Sequence, residues 1–201
     1  MDARCRDIVF PMRKIILASA SPWRKELLKR AGISFLVEVS GYDEDMRKRI
    51  SPKTLARNLA LEKARAVAVR HSNALIVAAD TLAIFRGRVI GKPTNLSEAK
   101  KILGQLSGNC HSLITGFAIV DTGTGKIVTR AMETKVWFRK LSRREIDRYV
   151  KTREPLTVAG GYAIQGGGSS FANRIDGDFY NIVGLPLAVV VEELRKFGVG
   201  I

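Results

Sequence analysis

Apolar runs of strand length alternate along this chain with amphipathic stretches of helix length. Residues 15–17 lead into "ASASPWRKELLKRAG", which predicts a strand and then a helix capped by Ser21, with Pro22 at its first position and Gly32 as its stop. "FLVEVS" (35–40) predicts a second strand and "GYDEDM" a polar loop. Over 51–71, Ala56, Leu59, Ala60, Ala64 and Val67 recur at i, i+3, i+4 spacing behind Ser51 and Pro52, the clearest helix in the chain. "ALIVAAD" (74–80) predicts a buried strand that continues through "TLAIF", turns at "RGR" and returns in "VIGKP". "NLSEAKKILGQLSG" predicts a capped helix, while "HSLITGFAIVD" and "KIVTRAMETKVWFR", joined by "TGTG", predict a long hairpin. A helix over 142–152, opened by a Ser142–Glu145 capping box, precedes the glycine-rich "AGGYAIQGGGSSF". "RIDGDFYNIVGLP" reads as a strand-turn-helix join, and "GLPLAVVVEELRKF" predicts the last helix. Strands that alternate with helices and carry inserted hairpins predict an α/β domain on a mixed sheet. No repeat or Pro/Ser-rich linker interrupts the pattern. Residues 13–201 therefore read as one domain and 1–12 as an extension outside it, with Met12 an alternative start.

Charge changes the picture more than composition does. Thirty-four Lys and Arg against 19 Asp and Glu leave a formal charge of +15, which calls for an anionic partner, either a nucleic acid or a phosphorylated small molecule, or else a basic surface. The densest basic run, 139–153, coincides with the capping-box helix and reads as a solvated face. Two cysteines far apart and two histidines argue against a zinc site or a disulfide framework and fit the cytoplasm. Apolar runs fall well short of the ~20 residues of a membrane span.

Against that background the start of the first helix is odd. Arg24 and Lys25 sit in its first turn, where the helix dipole disfavours cations by roughly 0.3–1 kcal/mol each. A polyphosphate bound by the free N–H groups, Ser19 and Ser21 turns that penalty into an attraction; incidental solvated cations are the plainer reading. Lys63 falls on the apolar stripe of the 51–71 helix, so it either snorkels to the edge or points into a polar cleft. Asp80 ends an apolar strand among small neighbours and needs a metal, a cation or a proton as company, unless it caps the following turn. Such a carboxylate suits a general base or a Mg²⁺ ligand. Asp43, Glu44 and Asp45 form a second acidic group on a loop, and Gln165 offers a donor and an acceptor from the glycine-rich loop.

Taken in order, "LASASPWRKELL", "DED", "ALEKA", "AADT", "GKP", "LSG" with His111, "EPLTVAGGYAIQG" and "GDFYNIVGLPL" resemble the Maf family of nucleotide pyrophosphatases, within the inosine-triphosphatase-like superfamily, from about Lys14 to Phe197. The resemblance implies a two-lobed α/β domain with a mixed sheet and an active-site cleft between the lobes. It also implies hydrolysis of a nucleoside triphosphate to monophosphate and diphosphate. Asp80 matches the family's proton acceptor; Ser19, Ser21, Arg24, Lys63 and Lys92 match phosphate-binding positions, beside which Lys25 adds charge. Glu44 matches an acidic position near the metal, and a divalent cation, Mg²⁺ or Mn²⁺, is implied with Glu44 and Asp80 as its ligands. A nucleoside triphosphate is the implied partner, and a homodimer is admitted. Base choice rests on three positions that disagree. Thr81 and Gln165 resemble the branch acting on dTTP and UTP, whereas Trp23, where the common motif has Arg, resembles the branch acting on 7-methyl-GTP. Two positions against one favour pyrimidine triphosphates. A basic nucleic-acid-binding protein is the rival from another class, but no recognised motif or run of aromatic platforms supports it.

Overall fold

The structure is a computed structural model that describes residues 13–43 and 50–201. Both the extension over 1–12 and Glu44 lie outside the described residues. The elements run β1 (Lys14–Leu17), α1 (Pro22–Arg30), β2 (Leu36–Val37), α2 (Pro52–Ala68), β3 (Ala74–Phe85), β4 (Arg88–Ile90) and α3 (Leu96–Leu106). They continue with β5 (Cys110–Asp121), β6 (Ile127–Phe138), α4 (Arg143–Val150), three short 3₁₀ turns over 154–171, β7 (Ala172–Asp176), α5 (Phe179–Val183) and α6 (Leu187–Lys196). The predicted caps are in place. Ser21 and Ser51 accept from the amides of Arg24 and Thr54, and Ser142 and Glu145 close the reciprocal box. Only the strand expected over 35–40 is much shorter than its apolar pattern. Its partner β1 offers just Ile16 and Leu17 before the chain turns away, and the Glu38 amide makes the last bond, to the Leu17 carbonyl at 3.1 Å.

The sheet is mixed, ordered β2-β1-β3-β5-β6-β7, with β1 parallel to β2 and β3 and the remaining pairs antiparallel. One lobe packs Leu27, Leu28, Leu185 and Leu194 against Leu17, Val77 and Phe117 on one face. On the opposite face α2 lays Ala60, Ala64 and Val67 over Ile16, Ile76 and Ala118. In the other lobe, Leu103, Phe138, Tyr149, Tyr162 and Phe171 pack together where α3, α4 and the 3₁₀ turns meet the far ends of β5 and β6. The expected two-lobed mixed-sheet architecture is present.

A gap in strand pairing makes the cleft. On the side of β3 away from β5, β1 pairs with Ala74 to Val77 and β4 with Ala83 to Phe85. Between them, residues 78–82 have no neighbouring strand on that side among the described residues, and Asp80 and Thr81 lie in the middle of this open edge. It adjoins the carboxyl end of β1, where the chain turns into the N-terminus of α1. Open α/β sheets take ligands at such strand ends.

Candidate active site

A cleft of about 690 Å³ occupies this gap, walled by the α1 start, β4, the end of α5 and the 157–162 turns. Ser19, Ser21, Trp23 and Arg24 line it from one lobe and Lys92 and Tyr162 from the other. Asp80 and Thr81 lie on its floor. Lys63 reaches in from α2 and ion-pairs with the Asp80 carboxylate, both side chains nearly buried. The stripe that buries Ala56, Leu59, Ala60, Ala64 and Val67 thus carries Lys63 to the carboxylate rather than to the helix edge. An almost buried Asp needs such a partner, because an unpaired carboxylate there is very unfavourable.

The misplaced cations of the first turn have different fates. Arg24 donates from Nε to the Gly184 carbonyl (2.8 Å), from Nη1 to Ser19 Oγ (3.2 Å) and from Nη2 to Thr81 Oγ1 (3.1 Å). It therefore ties the start of α1 to the β1–α1 turn, β3 and the α5–α6 join. Ser19 Oγ also accepts from the Ser21 amide at 3.2 Å. With both lone pairs engaged, its O–H is left to donate, the polarity an anionic phosphate oxygen requires. Lys25 is half-buried and not among the residues that line the cleft, and neither is Gln165, carried by the turn that the Gly166 amide closes on the Ala163 carbonyl (3.1 Å). Trp23 lines the cleft, half-exposed, instead of packing into the core beside Leu27.

Behind the far wall, the Tyr162 hydroxyl lies 2.8 Å from His111 Nε2, and the two rings meet Phe138 edge-on. Burial pushes the His111 pKa down to about 4, which keeps the ring neutral near pH 7, and pushes the Tyr162 hydroxyl up. A wider groove of about 970 Å³ between β4 and α3 carries Arg86, Arg88 and Lys101, and its carboxylate, Glu98, is bonded to Thr94 at the helix start. The cleft at Asp80 is the better candidate because its carboxylate and cations share one floor.

Among the described residues no group of three or more His, Cys, Asp or Glu side chains could hold a metal alone. Asp80 is the single carboxylate on the cleft lining among those residues. That donor set fits a hard cation such as Mg²⁺, which takes one or two protein carboxylates and completes its shell with phosphate oxygens and water. It does not fit a zinc cage.

A sequence profile described as Maf-like protein matches residues 14–197. The chain belongs to the Maf family. A dTTP/UTP pyrophosphatase of Desulforamulus reducens is 45% identical over 190 residues, covering 94% of this chain and all of the relative. Proteins of the same name from Bacillus anthracis and Bacillus mycoides are 46% and 48% identical, over 94% and 92% of this chain and 98% and 96% of theirs. The HAM1 protein of Coxiella burnetii shares the fold, with a TM-score of 0.52 at 17% identity over 92% of this chain and all of that one. Among the described residues no helix is long and apolar enough to cross a membrane.

Four residues carry no site signal of their own in the sequence: Gly184, which lines the cleft, and Thr115, Gly116 and Asn181, which sit behind Thr81 and Asp80. Gly116 stands opposite Asp80 in the strand register, and a Cβ on it would lie 2.5 Å from the Arg57 amide nitrogen of α2. In the sequence it is only a small residue after a polar one inside the apolar run "LITGFAIV".

Proposed function

We infer that the protein is a nucleoside triphosphate pyrophosphatase that hydrolyses dTTP and UTP to the monophosphate and diphosphate. The observation that carries the reading is the single floor where Asp80 meets Lys63 beside Ser19 and the α1 N-terminus, in a chain close to half identical to enzymes of that name. In this reading residues 13–201 act as one catalytic unit, and the reaction takes place in the cytoplasm.

The triphosphate lies across the α1 N-terminus, with the Ser19 hydroxyl and Ser21 donating to its oxygens and Lys63 and Lys92 supplying countercharge. Lys25 adds to the positive field from beside the cleft. Asp80 acts as general base. It takes a proton from a water that attacks the α-phosphorus, the bond from that phosphorus to the bridging oxygen breaks, and diphosphate departs with the bridging oxygen. Asp80, with Glu44 as a further ligand, would hold Mg²⁺ or Mn²⁺, which would supply charge neutralisation to the triphosphate. Trp23 offers a flat face for the base, with Thr81 and Gln165 contributing to its choice. The same indole favours the alternative reading, a 7-methyl-GTP pyrophosphatase, since a cationic purine gains a cation–π contact of ~0.5–2 kcal/mol.

The test is a screen of dTTP, UTP, 7-methyl-GTP and the remaining common triphosphates with Mg²⁺ or Mn²⁺, read as diphosphate release, on wild type and Asp80→Asn. Wild type should favour dTTP and UTP, and a folded Asp80→Asn should lose ~10²–10⁴ in rate. Near wild-type turnover by that variant would refute the general-base role.

A further inference from the structure

Around one wall of the cleft, hydrogen bonds form a closed ring whose donor directions are forced. Thr115 Oγ1 lies 2.7 Å from the Asn181 carbonyl, which has no hydrogen to give, so the single Thr115 proton is committed there. Thr81 Oγ1 lies 2.9 Å from Thr115 Oγ1 and must therefore be the donor of that pair. Arg24 Nη2 donates to Thr81 Oγ1, and Arg24 Nε donates to the Gly184 carbonyl. The Gly184 amide closes the ring on the Asn181 carbonyl at 3.2 Å. Asn181 is itself pinned, its Nδ2 donating to the Leu113 carbonyl (3.1 Å) and to Thr134 Oγ1 (3.0 Å). Thr115 and Asn181 are fully buried, so no solvent competes for the bond between them.

Thr81 has one hydroxyl proton and two lone pairs. The proton goes to Thr115, and one lone pair takes the Arg24 N–H. What it offers the cleft is a single acceptor lone pair, the reverse of Ser19, whose remaining capacity is a donor.

We propose that Thr115 and Asn181 are positioning residues that lock the Thr81 hydroxyl as an acceptor, and that the lock selects uracil and thymine over cytosine. The inference rests on the cleft being a site for pyrimidine triphosphates. Uracil and thymine carry an N3–H donor, which the lone pair accepts. Cytosine has a lone pair at N3, so two acceptors would face each other. Its amino donor lies one ring position away, and meeting it would drag the sugar and phosphates off the α1 N-terminus. A hydroxyl free to rotate would accept from one base and donate to the other. A locked one discriminates, much as buried polar groups left unpaired reject the wrong substrate elsewhere.

The experiment measures kcat/KM for UTP, dTTP, CTP and dCTP by diphosphate release on wild type, Thr115→Val and Thr115→Ser. Wild type should prefer UTP to CTP by about tenfold or more, the scale of one mispaired polar contact. Thr115→Val frees the Thr81 proton and should shrink that ratio about tenfold, chiefly by raising CTP turnover. Thr115→Ser restores the hydroxyl and should restore the ratio. The Asn181 carbonyl keeps the Gly184 amide in Thr115→Val, and thermal melting checks its fold. Should that variant not fold, Thr81→Val gives the second reading, in which the UTP to CTP ratio collapses through loss of UTP turnover. An active wild type that turns over UTP and CTP equally, or an unchanged ratio in folded Thr115→Val or in Thr81→Val, overturns the lock while leaving the pyrophosphatase reading intact. No turnover of any triphosphate by folded wild type overturns both.

Discussion

Replacing Gly116 with Ala tests whether the spacing between helix and sheet sets the catalytic floor. The new Cβ would stand 2.5 Å from the Arg57 amide nitrogen and closer still to the Ala56 carbonyl group. A relaxed contact needs about 3.5 Å. Both sides are backbone, so no side chain can rotate away, and α2 has to retreat from β5 by about 1 Å. Lys63 rides on the same helix about two turns further on, and Asp80 is paired with Gly116 in the sheet, so the retreat acts directly on the distance between them. Overpacking of a core typically costs ~1–3 kcal/mol, and a backbone clash belongs at or above the top of that range. A displacement of that size at a reacting centre can cost ~10²-fold in rate. Urea unfolding and diphosphate release, measured on one preparation, should show a loss of at least about 3 kcal/mol and a rate at least tenfold lower. Wild-type stability with wild-type turnover would show that the close approach positions nothing.

Two further outcomes follow from buried charge. Lys63→Met, harmless to stability if the side chain merely snorkelled or served only phosphate, should instead cost ~3–5 kcal/mol in urea melts by stranding the Asp80 carboxylate, and adding Asp80→Asn should recover much of the loss. Equal stability of Lys63→Met and wild type would refute the coupling. The buried neutral His111 titrates near 4 in the folded chain against 6.5 as its ordinary value, so between those pH values the unfolded chain binds the extra proton. Its contribution is complete above about pH 6.5 and is lost as pH falls towards 4, to a total of roughly 3 kcal/mol. His111→Gln should flatten that part of the stability profile, and an unchanged slope between pH 6.5 and 4 would contradict it.

Local signals carried most of the architecture and the groups that stand alone in their segment. Caps, periodicity and turns located the helices and long strands, a Lys on an apolar stripe pointed at the cleft, and an Asp at the end of an apolar run marked the floor. The ring behind Thr81 was invisible because its partners are joined only by the fold. Thr115 lies 34 residues from Thr81 and 66 from Asn181, and in the sequence it is one polar residue in an apolar strand. Register decided the second strand as well, since the apolar pattern of 35–40 outran the two residues that β1 could pair. Lys25 neighbours Arg24 on α1 and Gln165 belongs to the glycine-rich loop, and neither is on the cleft lining.

β3, β5 and β6, each twelve residues long, run without interruption from one lobe into the other. The cleft is thus cut into one margin of a continuous ribbon and is not a gap between two bodies on a tether. For one lobe to swing away from the other, those strands would have to flex, resisted along their whole length like the leaves of a spring. The stretch over 78–82, bonded among the described residues to a neighbouring strand on one side only, has fewer such restraints than the rest of β3, and it carries Asp80.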